Sequence, residues 1–395
     1  MHEFARTFIC VLRTIGNIMA SSIIFAWRYS DYLYKTTNLA PMAKRVYHLM
    51  IKPAGARCNL ACRYCYYIGN SGQYSALLSE DLLHRCLKDY LQSTDAQEPS
   101  VCWHGGEPLL AGMAFYQKAL EIEKRYAAGR RILNTIQTNG TLLDSEWCSF
   151  FADNGFLVGV SLDGPEDLHD SSRTQNNGTG SFASTMHAID LLRKAGAKYN
   201  TLSVVHSASE GRGAEIYRFL RDEAGSRYMQ FLPVEGHALS ARGYGAFLCD
   251  VFDVWAHGDI GKVFVQSFDA TLARWCGYTP GLCTMGERCG DNLSVECNGD
   301  VYACDHFTGP AHRLGNLTTN SLSDLYDCNQ RLRFTNAKMS GLSSGCRDCQ
   351  WFHICNGGCP KQRDKDGKNA LCEGLKDFYQ YVSPAMDKMR KAIMG

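Results

Sequence analysis

From Val46 to about residue 235, short apolar runs alternate with longer stretches whose apolar residues recur every three or four positions. "VYHLMIK", "SVCWHGG", "RILNTIQTNG", "FLVGVSLDGP", "YNTLSVVHS" and "YMQFLPV" read as strands. Helical stretches separate them. "SEDLLHRCLKDYLQ" opens on a capping serine, Ser79, and sets Leu82, Leu83, Cys86, Leu87 and Tyr90 at helical spacing. "AGMAFYQKALEIEKRYA", "DSEWCSFFADNG", "SFASTMHAIDLLRKAG" and "RGAEIYRFLRDEAG" read the same way, and Gly155 stops the second of them. Repeated strand–helix units predict a parallel sheet covered by helices, open or curled into a barrel. Polar residues and glycines cluster after the strands, at His104 to Glu107, Thr138 to Gly140 and Ser161 to Gly164. Ligand sites in such sheets form at the carboxyl ends of strands.

Two further helical stretches follow, roughly Gly243 to His257 and Val263 to Cys276. From Leu282 to Cys372 the apolar periodicity weakens, and cysteine, glycine and turn residues take over. That composition predicts a small domain held by metal rather than by a core. "EGLKDFYQYVSPAMDKMRKAIM" closes the chain as a helix. The expected division is 42–240, 241–281, 282–373 and 374–395. Residues 1–41 are expected to be an N-terminal extension outside the natural fold, with Met42 as the natural start. The apolar stretch Phe8 to Trp27 is broken by Arg13 and Asn17, which suits neither a membrane span nor a signal peptide.

Composition changes this picture at one point. The 395 residues carry a formal net charge of +1, which gives no sign of a nucleic-acid or membrane-surface partner. Cysteine is the anomaly, with 19 residues. Three of them crowd into "CNLACRYC" as Cys58, Cys62 and Cys65, after the first strand. A disulfide needs two thiols, and a structural zinc site usually takes four ligands. Three thiolates on one loop suit a four-iron cluster that keeps one iron open for an exchangeable ligand. Eight more form a second constellation: Cys283, Cys289, Cys304, Cys346, Cys349, Cys355, Cys359 and Cys372, with Gly299 before Cys304. Eight thiolates suit two fully ligated clusters or two zinc sites, and thiolate ligation alone does not separate these. The remaining eight, Cys10, Cys86, Cys102, Cys148, Cys249, Cys276, Cys297 and Cys328, read as non-ligands.

The CxxxCxxC motif, followed by an aromatic, resembles the motif of radical S-adenosylmethionine (SAM) enzymes. The pattern C-x9-G-x4-C … C-x2-C-x5-C-x3-C … C is similar to the twin-cluster SPASM domain. With "QTNGT", "SLDGP" and "CDHF", residues 46–385 resemble an anaerobic sulfatase-maturating enzyme. The resemblance implies an α/β fold: a partial (β/α)6 radical SAM barrel followed by a small cysteine-rich SPASM domain. It implies three [4Fe-4S] clusters. Cys58, Cys62 and Cys65 would hold the one that binds SAM. Cys283, Cys289, Cys304 and Cys359 would hold the first auxiliary cluster, and Cys346, Cys349, Cys355 and Cys372 the second. Tyr64 would lie beside the adenine. Gly105, Gly106 and Glu107 belong to the segment that receives the SAM ammonium, and Ser161 and Arg173 match positions that hold its carboxylate and ribose.

The activity implied is oxidation of a cysteine or serine in a sulfatase peptide to Cα-formylglycine. A 5′-deoxyadenosyl radical takes a hydrogen from the β-carbon, and Asp305, directly after Cys304, is the candidate base. The partners implied are an unfolded or nascent sulfatase polypeptide and a low-potential donor such as flavodoxin or ferredoxin. Oxygen-labile clusters imply a reducing cytoplasm. Two other readings stand beside this one. Another SPASM-type peptide maturase, forming thioether or carbon–carbon crosslinks, would share both cluster patterns. A zinc or electron-transfer protein would explain the later cysteines and leave CxxxCxxC without a purpose.

Overall fold

The computed structural model describes residues 44–67, 74–235 and 239–395. The expectations for residues 1–41 lie outside the described residues. In chain order the elements begin with β1 (His48–Ile51), α1 (Glu80–Ser93), β2 (Ser100–Trp103), α2 (Met113–Tyr126), β3 (Leu133–Thr138) and α3 (Ser145–Asp153). Next come β4 (Leu157–Ser161), α4 (Glu166–Ser172), α5 (Phe182–Ala195), β5 (Lys198–Val205), α6 (Gly213–Asp222) and β6 (Tyr228–Pro233). They are followed by α7 (Ala241–Ala256), β7 (Phe264–Val265), α8 (Gln266–Trp275), β8 (Asn292–Val295), β9 (Asp300–Tyr302) and β10 (Arg313–Asn316). The chain ends with α9 (Leu322–Asp327), α10 (Asn329–Ser340), α11 (Ser344–Arg347), α12 (Phe352–Cys355) and α13 (Cys372–Met394).

The chain divides into two compact units. The first comprises residues 44–204 with Arg288–Gly341. Its sheet runs β10-β9-β8-β1-β2-β3-β4-β5, parallel from β8 to β5. Burial alternates along β1, β2 and β3, so alternate side chains of these strands carry the core. Leu49, Ile51, Val101, Trp103, Ile136, Val158 and Val160 are all buried. The expected helices form where the capping chemistry places them. Ser79 accepts from the Leu82 N–H at 3.3 Å, and Asp144 from the Trp147 N–H at 2.9 Å. On α1, Leu83, Cys86, Leu87, Tyr90 and Leu91 form the buried face.

Six elements of this unit, α4, β8, β9, β10, α9 and α10, were not visible in the apolar pattern. β8 and β9 are short and antiparallel, joined through Asn298 and Gly299, and β8 pairs with β1. Gly299 has φ +86°, the left-handed conformation such a turn needs. Asn298-Gly299 between two β-prone runs is a hairpin signal. The short helix α4 follows the "SLDGP" turn, and α10 carries too little apolar character to show a stripe.

The second unit comprises Val205–Glu287 with Leu342–Gly395. Its core is aromatic: Phe252, Trp255 and Phe268 pack together, and Phe378 stacks on Phe268 at 5.7 Å. Helices α7 and α13 cross at glycines. A Cβ added to Gly245 would meet the Gly374 backbone, and one on Gly374 would meet the Ala241 carbonyl. Between Gly341 and α13 the elements shrink to single turns. No helix among the described residues is long and apolar enough to cross a membrane.

Candidate radical SAM site

Strand β1 ends at Ile51 and runs into the turn Lys52–Arg57, from which the cysteine loop departs. The loop after β2 lies directly on this turn. The Gly106 N–H donates to the Gly55 carbonyl and the Glu107 N–H to the Arg57 carbonyl, both at 2.8 Å. A side chain does not fit between them. A Cβ on Gly105, whose φ is +113°, would stand 2.8 Å from the Gly55 oxygen, and one on Gly106 would run into the Arg57 carbonyl. The Gly-Gly pair is therefore required by the packing of one loop on the other.

Glu107 is fully buried and faces the end of β3. It accepts from the Leu109 N–H at 3.0 Å, from Thr138 Oγ1 at 2.9 Å and from the Asn139 N–H at 2.9 Å. Burial pushes its carboxyl up to about 7 against these three donors. Its position makes Glu107 a brace between the Gly-Gly loop and "QTNG". Asn139 extends the brace to the cysteine loop: its amide donates to Asn59 Oδ1 at 2.9 Å and reaches Cys58 Sγ at 3.8 Å.

Cys58, Cys62 and Cys65 lie on one short loop, half-buried and close enough that their neighbours disfavour ionisation of Cys58 and Cys62. Burial is the larger effect and pushes the Cys58 thiol up to about 11. Thiols so placed ionise when a cation takes the charge. Among the described residues no three His, Cys, Asp or Glu side chains converge on a single ion. An iron–sulfur cube asks for a wider triangle, because each thiolate takes its own iron. The N–H of Leu60 and the Asn139 amide point at the Cys58 sulfur, as donors do around cluster thiolates.

Tyr64, between the last two cysteines, donates its hydroxyl to Asp163. Arg173 Nε donates to the same carboxylate at 3.0 Å, and its guanidinium lies 5.3 Å from the Tyr64 ring centre. Asp163 and Arg173 are both buried. Burial opposes the Asp163 charge, but Arg173, His169, the Tyr64 hydroxyl and the Val204 N–H together outweigh it and hold the carboxyl below its ordinary range. Arg173 also influences Cys62, lowering a thiol that burial raises. Ser161 Oγ accepts from Gln137 Nε2 at 3.0 Å. Tyr64, Ser161 and Arg173 thus gather at one strand end, and Asp163, not singled out in the sequence, joins two of them.

A second buried group lies where β1 and β8 end. Lys52 Nζ donates to Glu296 Oε1 at 3.0 Å, with neither side chain exposed. The Tyr67 hydroxyl donates to the same carboxylate at 2.6 Å, and Lys52 sits 4.4 Å from its ring centre. Asp305 follows β9 in the same unit. Burial works against its charge, but His306, Lys52 and His104 outweigh that and keep the carboxyl below its ordinary range. His306 Nε2 is 3.8 Å from Asp305 Oδ2, and Cys304 Sγ is 3.8 Å from Oδ1.

The second unit brings Cys346, Cys349, Cys355 and Cys372 together. Each of the other three makes the Cys355 thiolate harder to form, after burial, and the Gly357 N–H points at its sulfur at 3.4 Å. Cys283 and Cys359 belong to this unit, and Cys289 and Cys304 to the first. The cysteines read as non-ligands have other surroundings. Cys86 and Cys148 are buried on helix faces, Cys328 caps α10, and Cys297 packs beneath Gly55. Cys10 lies outside the described residues.

Comparison with known proteins matches this arrangement. Residues 53–220 match the radical SAM superfamily, and residues 283–350 an iron-sulfur cluster-binding domain. The chain is 40% identical to a serine-type anaerobic sulfatase-maturating enzyme of Bacteroides thetaiotaomicron, over 91% of this chain and 95% of that one. It is 31% identical to a cysteine-type enzyme of Clostridium perfringens, over 86% and 96%. The solved structure of native anSMEcpe with bound AdoMet and Cp18Cys peptide superposes with a TM-score of 0.81 at 30% identity, covering 88% of this chain and 99% of that one. Its α/β fold, with a parallel sheet and a following cluster-binding domain, is the one expected from the sequence, and SAM and [4Fe-4S] clusters are the cofactors these domains imply. The chain belongs to the anaerobic sulfatase-maturating enzymes of the radical SAM superfamily.

Proposed function

We propose that this chain oxidises a serine, and less readily a cysteine, in a sulfatase polypeptide to Cα-formylglycine. The observation that carries the reading is Asp305: a half-buried carboxylate in the same unit as the cysteine loop, held below its ordinary range by the charges of His306, Lys52 and His104. The order of preference follows the higher identity to the serine-type relative, 40% against 31%.

In this reading Cys58, Cys62 and Cys65 hold the SAM-binding cluster. The backbone at Gly105 and Gly106 receives the ammonium, and Glu107 braces that loop from behind. Ser161 and Arg173 hold the carboxylate and ribose, with Tyr64 beside the adenine. Cys283, Cys289, Cys304 and Cys359 hold one auxiliary cluster, and Cys346, Cys349, Cys355 and Cys372 the other. The mutual proximity of the last four supports their grouping. Once bound, these groups supply the radical that takes the β-hydrogen and the acceptor for the second electron. Asp305 takes the proton of the substrate hydroxyl or thiol. A flavodoxin or ferredoxin in a reducing cytoplasm serves as the electron donor.

The test uses reconstituted enzyme under anaerobic conditions, with paired serine and cysteine sulfatase peptides read by mass spectrometry. Asp305→Asn should keep deoxyadenosine formation and lower formylglycine at least about 100-fold, the scale of a lost general base. Unchanged formylglycine would remove Asp305 from that role.

A further inference from the structure

The buried group of Lys52, Glu296 and Tyr67 has no part in the reading above, yet it touches both ends of the cysteine loop. Lys52 opens the turn from which the loop departs, and Tyr67 stands two residues after Cys65. Glu296 lies 229 positions after Tyr67, directly beyond β8. Its carboxylate accepts from Lys52 Nζ at 3.0 Å, and from the Tyr67 hydroxyl at 2.6 Å on one oxygen and 2.7 Å on the other. All three side chains are buried. Glu296 is in turn fixed by the hairpin: its N–H donates to the Asp300 carbonyl and its carbonyl accepts from the Gly299 N–H, both at 2.9 Å.

Stability alone does not call for this arrangement. A buried ion pair replaced by apolar residues of similar volume is often just as stable. What a shared carboxylate does fix is geometry, because two donors from distant segments must meet it at once. The middle of the cysteine loop is tied elsewhere, with the Ala61 N–H on the Thr174 carbonyl at 2.8 Å and the Arg63 N–H on the Ser172 carbonyl at 2.9 Å. Lys52 and Tyr67 tie its entry and its exit. Lys52 also underlies the Gly-Gly loop, since a Cβ on Gly105 would stand 3.2 Å from the Lys52 Cβ. We propose that Glu296 is a positioning residue that clamps both ends of the cysteine loop to the β8–β9 hairpin. The hairpin that leads to Cys304 and Asp305 thereby sets the place of Cys58, Cys62 and Cys65. The clamp stands on this geometry; only its effect on product rests on the formylglycine reading.

Two variants separate the clamp from stability. Tyr67→Phe removes one hydroxyl and leaves Lys52 paired with Glu296. Lys52→Met combined with Glu296→Leu removes both charges together and leaves neither buried alone. The first measurement is amide exchange of the iron-free protein. Both variants should speed exchange over residues 58–67 by about 10- to 100-fold, the weight of one hydrogen bond to a charged group, with β3 unchanged. The second is deoxyadenosine formed per formylglycine in the reconstituted enzyme. That ratio should rise several-fold, because a radical made on a displaced loop reaches its hydrogen less often. A smaller folded fraction lowers both products and leaves the ratio alone. Unchanged exchange over 58–67 in both variants overturns the proposal, and so does a ratio equal to that of wild type. Faster exchange in β3 as well would mark a general loss of stability and overturn it too. If Tyr67→Phe fails to fold, the double variant decides by the same readouts. Wild type that makes deoxyadenosine but no formylglycine ends the formylglycine reading, and the exchange measurement then decides the clamp by itself.

Discussion

Two cysteine-rich loops, in two different units, gather thiols on very different supports. Cys58 to Cys65 leave the end of a central strand and are tied down by Glu107, Asn139 and the Asp163–Arg173 pair, all of them buried. Cys346 to Cys372 sit among single-turn helices closed by local backbone bonds, such as Cys349 N–H to the Cys346 carbonyl at 3.2 Å and Gly358 N–H to the Cys355 carbonyl at 2.9 Å. Few apolar side chains are buried there, Ile354 and Leu371 among them. The first loop is shaped by the protein around it. The second takes much of its order from the metal it is expected to hold.

Removing iron breaks that comparison open and carries the largest effect. Chelated under anaerobic conditions, the protein should lose amide-exchange protection over residues 342–372 by roughly 100-fold or more, while β1 and β2 keep theirs. Equal loss in both places would mean that the first loop also depends on its cluster for shape.

A smaller effect tests the protein-made support directly. Gly106→Ala pushes a methyl into the Arg57 carbonyl and should cost about 1–3 kcal/mol, seen as a lower denaturation midpoint even without metal. A neutral result would show that the turn can give way, and the support would be softer than the packing implies.

The smallest effect concerns pH. Burial pushes the carboxyl of Glu123, on α2, up to about 7. The folded chain then holds a proton that the unfolded chain releases, so stability falls as pH rises from about 4.5 to about 7. Glu123→Gln keeps an oxygen for the Asn134 amide, 2.7 Å away, and removes the titration. The drop in unfolding free energy between pH 5 and pH 8 should shrink, by no more than about 3 kcal/mol. Glu107, raised in the same direction, leaves a residual slope.

The two regions were also unequally legible in the sequence. Short apolar runs and helical spacing between them exposed β1 to β6 and most of the helices that separate them. The cysteine spacings exposed the chemistry. The polar supports had no such imprint. Lys52 and Glu296 are 244 positions apart, and nothing in either neighbourhood announces the other. Asp163 sat inside a turn that looked like a turn. The β8–β9 hairpin was readable from Asn298-Gly299, but its strands are only four and three residues long, too short to show a period.

The pairing of β1 with β8 also says something about how the protein is made. One edge of β1 finds its partner only when residues 292–295 have left the ribosome. Until then a central strand is an open edge, with Lys52 buried beside no counter-charge, and such edges recruit other chains. Synthesis of this enzyme therefore passes through a long interval in which its first half is complete in sequence and incomplete in structure. A truncation ending before Asn292 should aggregate where one ending after Tyr302 stays dispersed.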